Sequence, residues 1–172
     1  MHWASAPSLD NCSGNVHAMF MLETENTPAL APGQLLARGV SRHLSHLGMA
    51  CVEELVPARG LRVDVMALGR KGEIWVVECK SSRADFVSDA KWHGYIEWCD
   101  RFFWAVDADF PTELLPEETG LIIADAYDAE VVRMAPEAKL ASARRKAVIQ
   151  TFATCAARRL QMLRDPGAGL TL

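Results

Sequence analysis

Two acids and a lysine stand at the ends of strand-like runs: Asp64 in the run Leu61–Leu68, then Glu78 and Lys80 closing the run that starts at Glu73. An apolar side chain is easier to bury at such positions, so these three mark either chemistry or a salt bridge. Strand side chains alternate, so Glu78 and Lys80 point to one face while Val77 and Cys79 point to the other. Carboxylates placed side by side repel and stay charged only with a cation beside them. A hard divalent ion, Mg2+ with Mn2+ as the alternative, meets that demand through oxygen ligands, which makes Asp64 and Glu78 the expected metal ligands. Such an ion polarises a phosphate and acidifies water. Lys80 is then expected to hold the water, to steady the phosphate, or to act as a base if its surroundings lower its pKa. A cross-strand salt bridge on an exposed sheet edge explains the same residues, and Glu-x-Lys alone does not decide between the two.

The catalytic reading needs a particular hairpin. Leu61–Leu68 and residues 73–79 read as strands joined through Gly69-Arg70-Lys71-Gly72. If Leu68 faces Ile74, Asp64 faces Glu78 and the two carboxylates share one face of the sheet. A slip of one residue sets Asp64 against Val77 and separates the acids. A short strand over 50–56, stopped by Pro57 to Gly60, is expected before the hairpin. A helix over 86–99 with Asp85 as its N-cap and Asp89 near its N-terminal dipole is expected after it. Residues 101–106 are nearly all apolar, as in a strand buried on both faces. Two short strands over 121–124 and 130–134 flank a turn at 125–129.

Two helices supply positive charge. Residues 34–48 place Leu35, Leu36, Val40, Leu44 and Leu47 at helical spacing and leave Arg38, Arg42, His43 and His46 elsewhere. Residues 139–164 hold seven basic residues and no acid, on a helix expected over 141–163. Arg38, Arg42, Arg144, Arg145 and Lys146 are therefore candidate phosphate contacts, against the plainer reading of solvated helix faces. The aromatic group Trp92, Tyr95, Trp98, Phe102, Phe103 and Trp104 offers base stacking or, for most of its members, core packing.

With 172 residues, half of them hydrophobic, the chain has enough for one core. A net charge of −4 argues against general coating of polyanions and leaves room for a local basic surface. The five cysteines are odd in number and scattered, which suits reduced thiols. Residues 1–30 are expected to be a loosely ordered arm, 31–165 the domain, and 166–172 a flexible tail. There is no secretory signal pattern and no membrane-length apolar run, so a soluble cytoplasmic protein is expected.

The order helix, hairpin with acids and lysine, helix, buried strand is that of the PD-(D/E)xK nuclease superfamily. The resemblance is closer still to the MmcB family of bacterial DNA-repair proteins. It is carried by Arg62-Val-Asp-Val-Met-Ala-Leu, by Glu73-Ile-Trp-Val-Val-Glu-Cys-Lys-Ser-Ser-Arg-Ala-Asp-Phe and by Asp89-Ala-Lys-Trp. Cys99-Asp-Arg-Phe-Phe-Trp-Ala-Val and Leu114-Leu-Pro-Glu-Glu-Thr-Gly-Leu-Ile-Ile-Ala-Asp-Ala complete it, so that it spans roughly residues 31 to 155. It implies a single α/β domain with a restriction-endonuclease-like mixed β-sheet flanked by helices, and a part in DNA repair. In the superfamily pattern Asp64 matches the metal-binding aspartate, Glu78 the second acid and Lys80 the lysine, while Val63 stands where a proline is usual.

Further site residues come from the same resemblance. Glu53 or Glu54 would add a third carboxylate, with Glu54 preferred. Lys91 matches a polar helix residue that relatives place beside the metal. By their place just after the lysine, Ser81 or Ser82 and Arg83 would hold a phosphate, against the plainer reading of a turn with side-chain caps, and Trp92, which the family match retains, would touch the nucleic acid. Cys79 is expected to pack in the core, away from the acids, with no histidine to make it a nucleophile. The function implied is metal-dependent hydrolysis of DNA by an activated water. The alternatives are a DNA-binding repair accessory protein without catalysis, working with other repair proteins, and a small protein-interaction domain. Nothing here fixes the oligomeric state.

Overall fold

Apolar runs with strand character dominate the centre of the chain, and they build one sheet. The computed structural model describes residues 29–89 and 91–167. The expected arm up to residue 28 and the tail from 168 lie outside the described residues. The elements in order are α1 (Pro32–His46), β1 (Ala50–Ala58), β2 (Leu61–Leu68), β3 (Ile74–Lys80), α2 (Arg83–Ser88) and α3 (His93–Ile96). They continue with β4 (Arg101–Val106), a 3-10 turn (Thr112–Leu114), β5 (Gly120–Ala124), β6 (Ala129–Arg133) and α4 (Ser142–Arg164). The strands form one six-stranded sheet in the order β1-β2-β3-β4-β5-β6. Its outer pairs are antiparallel and the β3-β4 and β4-β5 pairs are parallel, so the sheet is mixed. The α/β class with flanking helices expected from the sequence is observed.

Strands β3 and β4 are apolar on both faces because helices cover both. Helix α1 lies on one face, where Leu36, Val40 and Leu44 pack with Val65, Val77, Cys79 and Phe103. Its Gly39 sits against the β5-β6 turn so closely that an added Cβ would lie 2.1 Å from the Asp125 carbonyl oxygen. Only glycine permits that approach. The other face carries Val76, Phe102, Trp104 and Val106 under Tyr95 and under Val148 and Phe152 of α4.

The β2-β3 hairpin takes the register that the catalytic reading requires. Leu68 faces Ile74 and the pairing continues to Val65 and Val77, so the next pair in register is Asp64 and Glu78. Two local expectations need correction. Strand β1 runs through Pro57 to Ala58, with an irregularity between Leu55 and Ala58. It is the edge strand, where a missing N–H costs no ladder bond. Glu54 there has φ of 50°, a left-handed conformation uncommon outside glycine. Arg159 of α4 holds the bend by donating to the Glu53 carbonyl at 2.6 Å and to the Glu54 carbonyl at 3.4 Å.

The continuous helix expected over 86–99 is two short helices instead. Ser82, not Asp85, caps α2 by accepting from the Asp85 N–H at 3.2 Å. The helix ends because Asp89 turns to extended backbone and its Oδ1 accepts from the Lys91 N–H at 2.8 Å. Such local side-chain bonding competes with the helical ladder.

Candidate functional site

At the end of the β2-β3 hairpin the ladder gives way to side chains. Asp64 donates its N–H to Glu78 Oε1 at 3.2 Å, and Cys79 donates its N–H to Asp64 Oδ2 at 2.8 Å. Each acid thus takes a backbone donor from the opposite strand, which fixes both carboxylates. Lys80, two residues on, lies on the same face with its Nζ 5.7 Å from the centre of the Trp104 ring. Glu78 and Lys80 are buried, and Asp64 is partly open to solvent.

Asp89 completes the cluster. Its Oδ2 accepts from Lys80 Nζ at 2.7 Å, while Glu78 Oε2 stands 3.8 Å from the same nitrogen. Two carboxylates therefore flank one ammonium, with Asp64 beside Glu78. Burial first, then the charge of Asp64, pushes Glu78 up to about 8. Burial also raises Asp64, against the pull of the Cys79 N–H and Lys80. For Lys80 the cost of burial is outweighed by its bond to Asp89 and by the charges of Asp89 and Glu78, so its pKa rises. That direction runs against the expectation of a general-base lysine and leaves Lys80 as a fixed positive charge. Asp89 is held low because its bonds to Lys80 and to the Lys91 N–H overcome burial.

Several predicted residues fall elsewhere. Glu53 faces α1, where the Ser41 hydroxyl donates to it at 2.9 Å. Glu54 bends outward and pairs with Arg62 at 3.4 Å, so it supplies no third carboxylate to the cluster. Lys91 is exposed and meets the site only through its backbone N–H on Asp89. Ser82 is occupied as the α2 cap, and Arg83 is exposed on the first turn of the same helix. Trp92 is half-buried and stacks on Phe102 with ring centres 5.8 Å apart, so it serves the core.

The basic residues divide in the same way. Arg38 and Arg42 lie on α1, which covers the face opposite the acids, and both sit over the exposed Tyr127 ring at 5.8 and 5.9 Å. They cannot share a groove with Asp64. Arg145 is spent inside the fold: it grips Asp100 with both nitrogens at 2.7 and 2.6 Å and donates to the Gly72 carbonyl at 2.6 Å. Arg144 bonds Glu97 and lies over the Trp98 ring at 5.1 Å. Lys146 is exposed on the outer side of α4 and keeps the availability expected of a phosphate contact.

Sequence reasoning missed Asp89, Arg62 and Tyr95 as neighbours of the cluster. Tyr95 is buried beside it, and burial followed by the nearby carboxylates pushes its hydroxyl up to about 12. The assumption of one unbroken helix hid Asp89, because it gave that residue a part in the helix dipole and none in the acidic cluster. An Asp two residues before a backbone N–H, with Gly94 soon after, was the available signal for a break. A separate cleft of about 250 Å3, bordered by Trp92, Ile96, Phe102 and Thr119, opens beside the cluster's face and includes none of its acids.

Residues 29–167 match the family described as DNA repair protein MmcB-like. A solved structure of a protein of unknown function from Silicibacter pomeroyi is similar, with 74% identity and a TM-score of 0.81. That similarity covers 83% of this chain and 99% of the other. No curated protein matches the chain.

Proposed function

The chain belongs to the MmcB-like DNA repair family, and from that premise we propose that it is a divalent-metal-dependent nuclease of the PD-(D/E)xK kind, acting on DNA at Asp64, Glu78 and Lys80. The observation that carries this reading is the pairing of two enclosed acids: Asp64 and Glu78 lie side by side, each held by a backbone N–H of the opposite strand, and burial and then the charge of Asp64 push Glu78 up to about 8. A protein that keeps two adjacent carboxylates in a poorly hydrated place has positioned them to receive a cation.

The donor set fits Mg2+ or Mn2+. Both side chains offer hard oxygens, and they are two ligands only: among the described residues no group of three or more His, Cys, Asp or Glu is gathered that could hold a metal ion. Mg2+ favours this economy, since it is bound through one or two carboxylates together with waters and substrate phosphates. When bound, the ion supplies Lewis acidity toward a phosphate oxygen and toward water. Asp64, held by the Cys79 N–H, and Glu78, held by the Asp64 N–H, are already oriented for it. Lys80 contributes a fixed positive charge for an attacking water or a phosphate oxygen. Arg62, exposed on β2 two residues before Asp64, is suited to a neighbouring phosphate.

One observation favours the accessory reading, in which the protein binds DNA without cutting it. Lys80 is engaged by Asp89 at 2.7 Å, so the lysine is not free as the chain stands. The test is cleavage of labelled single-stranded, duplex, nicked, flapped and four-way DNA with Mg2+, Mn2+ or chelator. We expect metal-dependent cutting that falls by about a thousandfold in Asp64→Ala, with folding retained. Binding without cutting by the folded wild type, in every metal, moves the assignment to the accessory protein.

A further inference from the structure

Asp89 is the acid of the cluster that lies on neither strand of the hairpin. It stands at the break between α2 and α3, and both of its oxygens are committed: Oδ1 to the Lys91 N–H at 2.8 Å and Oδ2 to Lys80 Nζ at 2.7 Å. The first bond ties the carboxylate to the backbone, so its aim at Lys80 is fixed by the chain. The side chains of Lys80 and Asp89 are 8% and 11% exposed, which shields their pairing from solvent. Lys80 has a second acid within reach, Glu78 Oε2 at 3.8 Å. The ammonium is thus shared unequally, closer to Asp89 by about 1 Å.

From this arrangement we propose that Asp89 is a positioning residue: it draws the Lys80 ammonium to the side and thereby keeps the Asp64–Glu78 carboxylates open to a divalent cation. The proposal rests on the metal-dependent reading above and goes beyond it by giving the α2-α3 break a task in cation loading. Without the Asp89 charge, the flexible lysine stem lets Nζ close the remaining distance to Glu78. The ammonium then neutralises the carboxylate that the cation needs, and the two compete for one place. Asp89 acts here through Lys80 and touches no reacting atom.

The experiment is a Mn2+ titration followed by electron paramagnetic resonance on the full chain, which reads cation uptake without any DNA cleavage. Circular dichroism checks the fold of each variant. Asp89→Asn is expected to weaken Mn2+ binding about tenfold, the size seen when a residue supporting a metal ligand is lost. Asp89→Glu, which keeps the charge, is expected to recover most of that loss. In a Lys80→Met background the same Asp89→Asn change is expected to leave binding within about twofold, because nothing remains to be held aside. If Asp89 were itself a ligand or a general attractor, it would weaken binding equally in both backgrounds, and the proposal would be overturned. Unchanged binding in Asp89→Asn would overturn it as well. Should Asp89→Asn fail to fold, Asp89→Ser takes its place in both backgrounds, with the same outcomes deciding the point. Failure of the wild type to take up Mn2+ would remove the metal-dependent reading itself, an outcome distinct from failure of the Asp89 role alone.

Discussion

Glu78 and Asp100 are shielded from solvent to nearly the same degree, 3% and 4% exposed, and yet they are in opposite electrostatic states. Asp100 precedes β4 and accepts four strong bonds, from the Ile74 and Leu140 N–H groups at 2.8 and 2.9 Å and from both Arg145 nitrogens. Those bonds outweigh burial and hold its carboxyl below the usual range. Glu78 has one backbone donor and a distant share of Lys80, and it is pushed up to about 8. Low solvent exposure alone does not distinguish the two acids. The difference lies in how deeply the carboxylate is enclosed and in whether the fold supplies enough donors and positive charge for it: Glu78 sits deeper and has fewer donors than Asp100. Asp100 pins α4 and the hairpin turn to β4. On the proposed metal-dependent reading, Glu78 takes its missing charge from a cation.

The contrast can be broken first at Asp100. Asp100→Ala strands Arg145 and two backbone N–H groups, so urea unfolding is expected to show a loss on the order of 3 kcal/mol. A loss below about 1 kcal/mol would mean that this ion pair holds nothing together. Next comes pH, measured in chelator. A carboxyl raised in the folded state keeps a proton that the unfolded chain gives up, so between about pH 4.5 and about pH 8 the contribution of Glu78 to stability falls as pH rises. The slope for one such group is at most about 1.4 kcal/mol per pH unit. Glu78→Gln should flatten that decline, and an unaltered slope would show that Glu78 is not the group concerned. Asp100 has the opposite sign: its contribution is full above the ordinary carboxylate range and is lost as pH falls through it.

The smallest effect concerns the helix surfaces. Lys146→Gln, on the exposed side of α4, is expected to weaken DNA binding by a few-fold and to lower its salt dependence by about one ion. Arg38→Gln, on the opposite face of the sheet, should change binding less. Equal losses from both would contradict a single binding face.

Much of this arrangement was legible in the chain. The apolar run of β4 (Arg101–Val106) and the alternation in the hairpin follow from the local pattern, whereas the register that pairs Asp64 with Glu78 was one of two that the connection after Leu68 left open, and the fold selects it. The break after α2 was not legible from periodicity, because Trp92, Tyr95 and Trp98 keep an apolar rhythm through it. The roles of the arginines were hidden for a different reason. Arg144 and Arg145 look like surface charge in any helical projection, and only the tertiary fold brings Glu97 and Asp100 beneath them. Cys79 was placed correctly by strand alternation alone: it is buried on the α1 face, and burial drives its thiol far from the thiolate.

The most direct test of the account sets the two acids against each other in one assay: metal-dependent DNA cleavage per folded molecule by wild type, Glu78→Ala and Asp100→Ala. The account predicts that Glu78→Ala stays folded and loses cutting by about a thousandfold, while Asp100→Ala loses stability and cuts at the wild-type rate wherever it is folded. Full activity in Glu78→Ala, or no cutting by the wild type with Mg2+ or Mn2+, would contradict it.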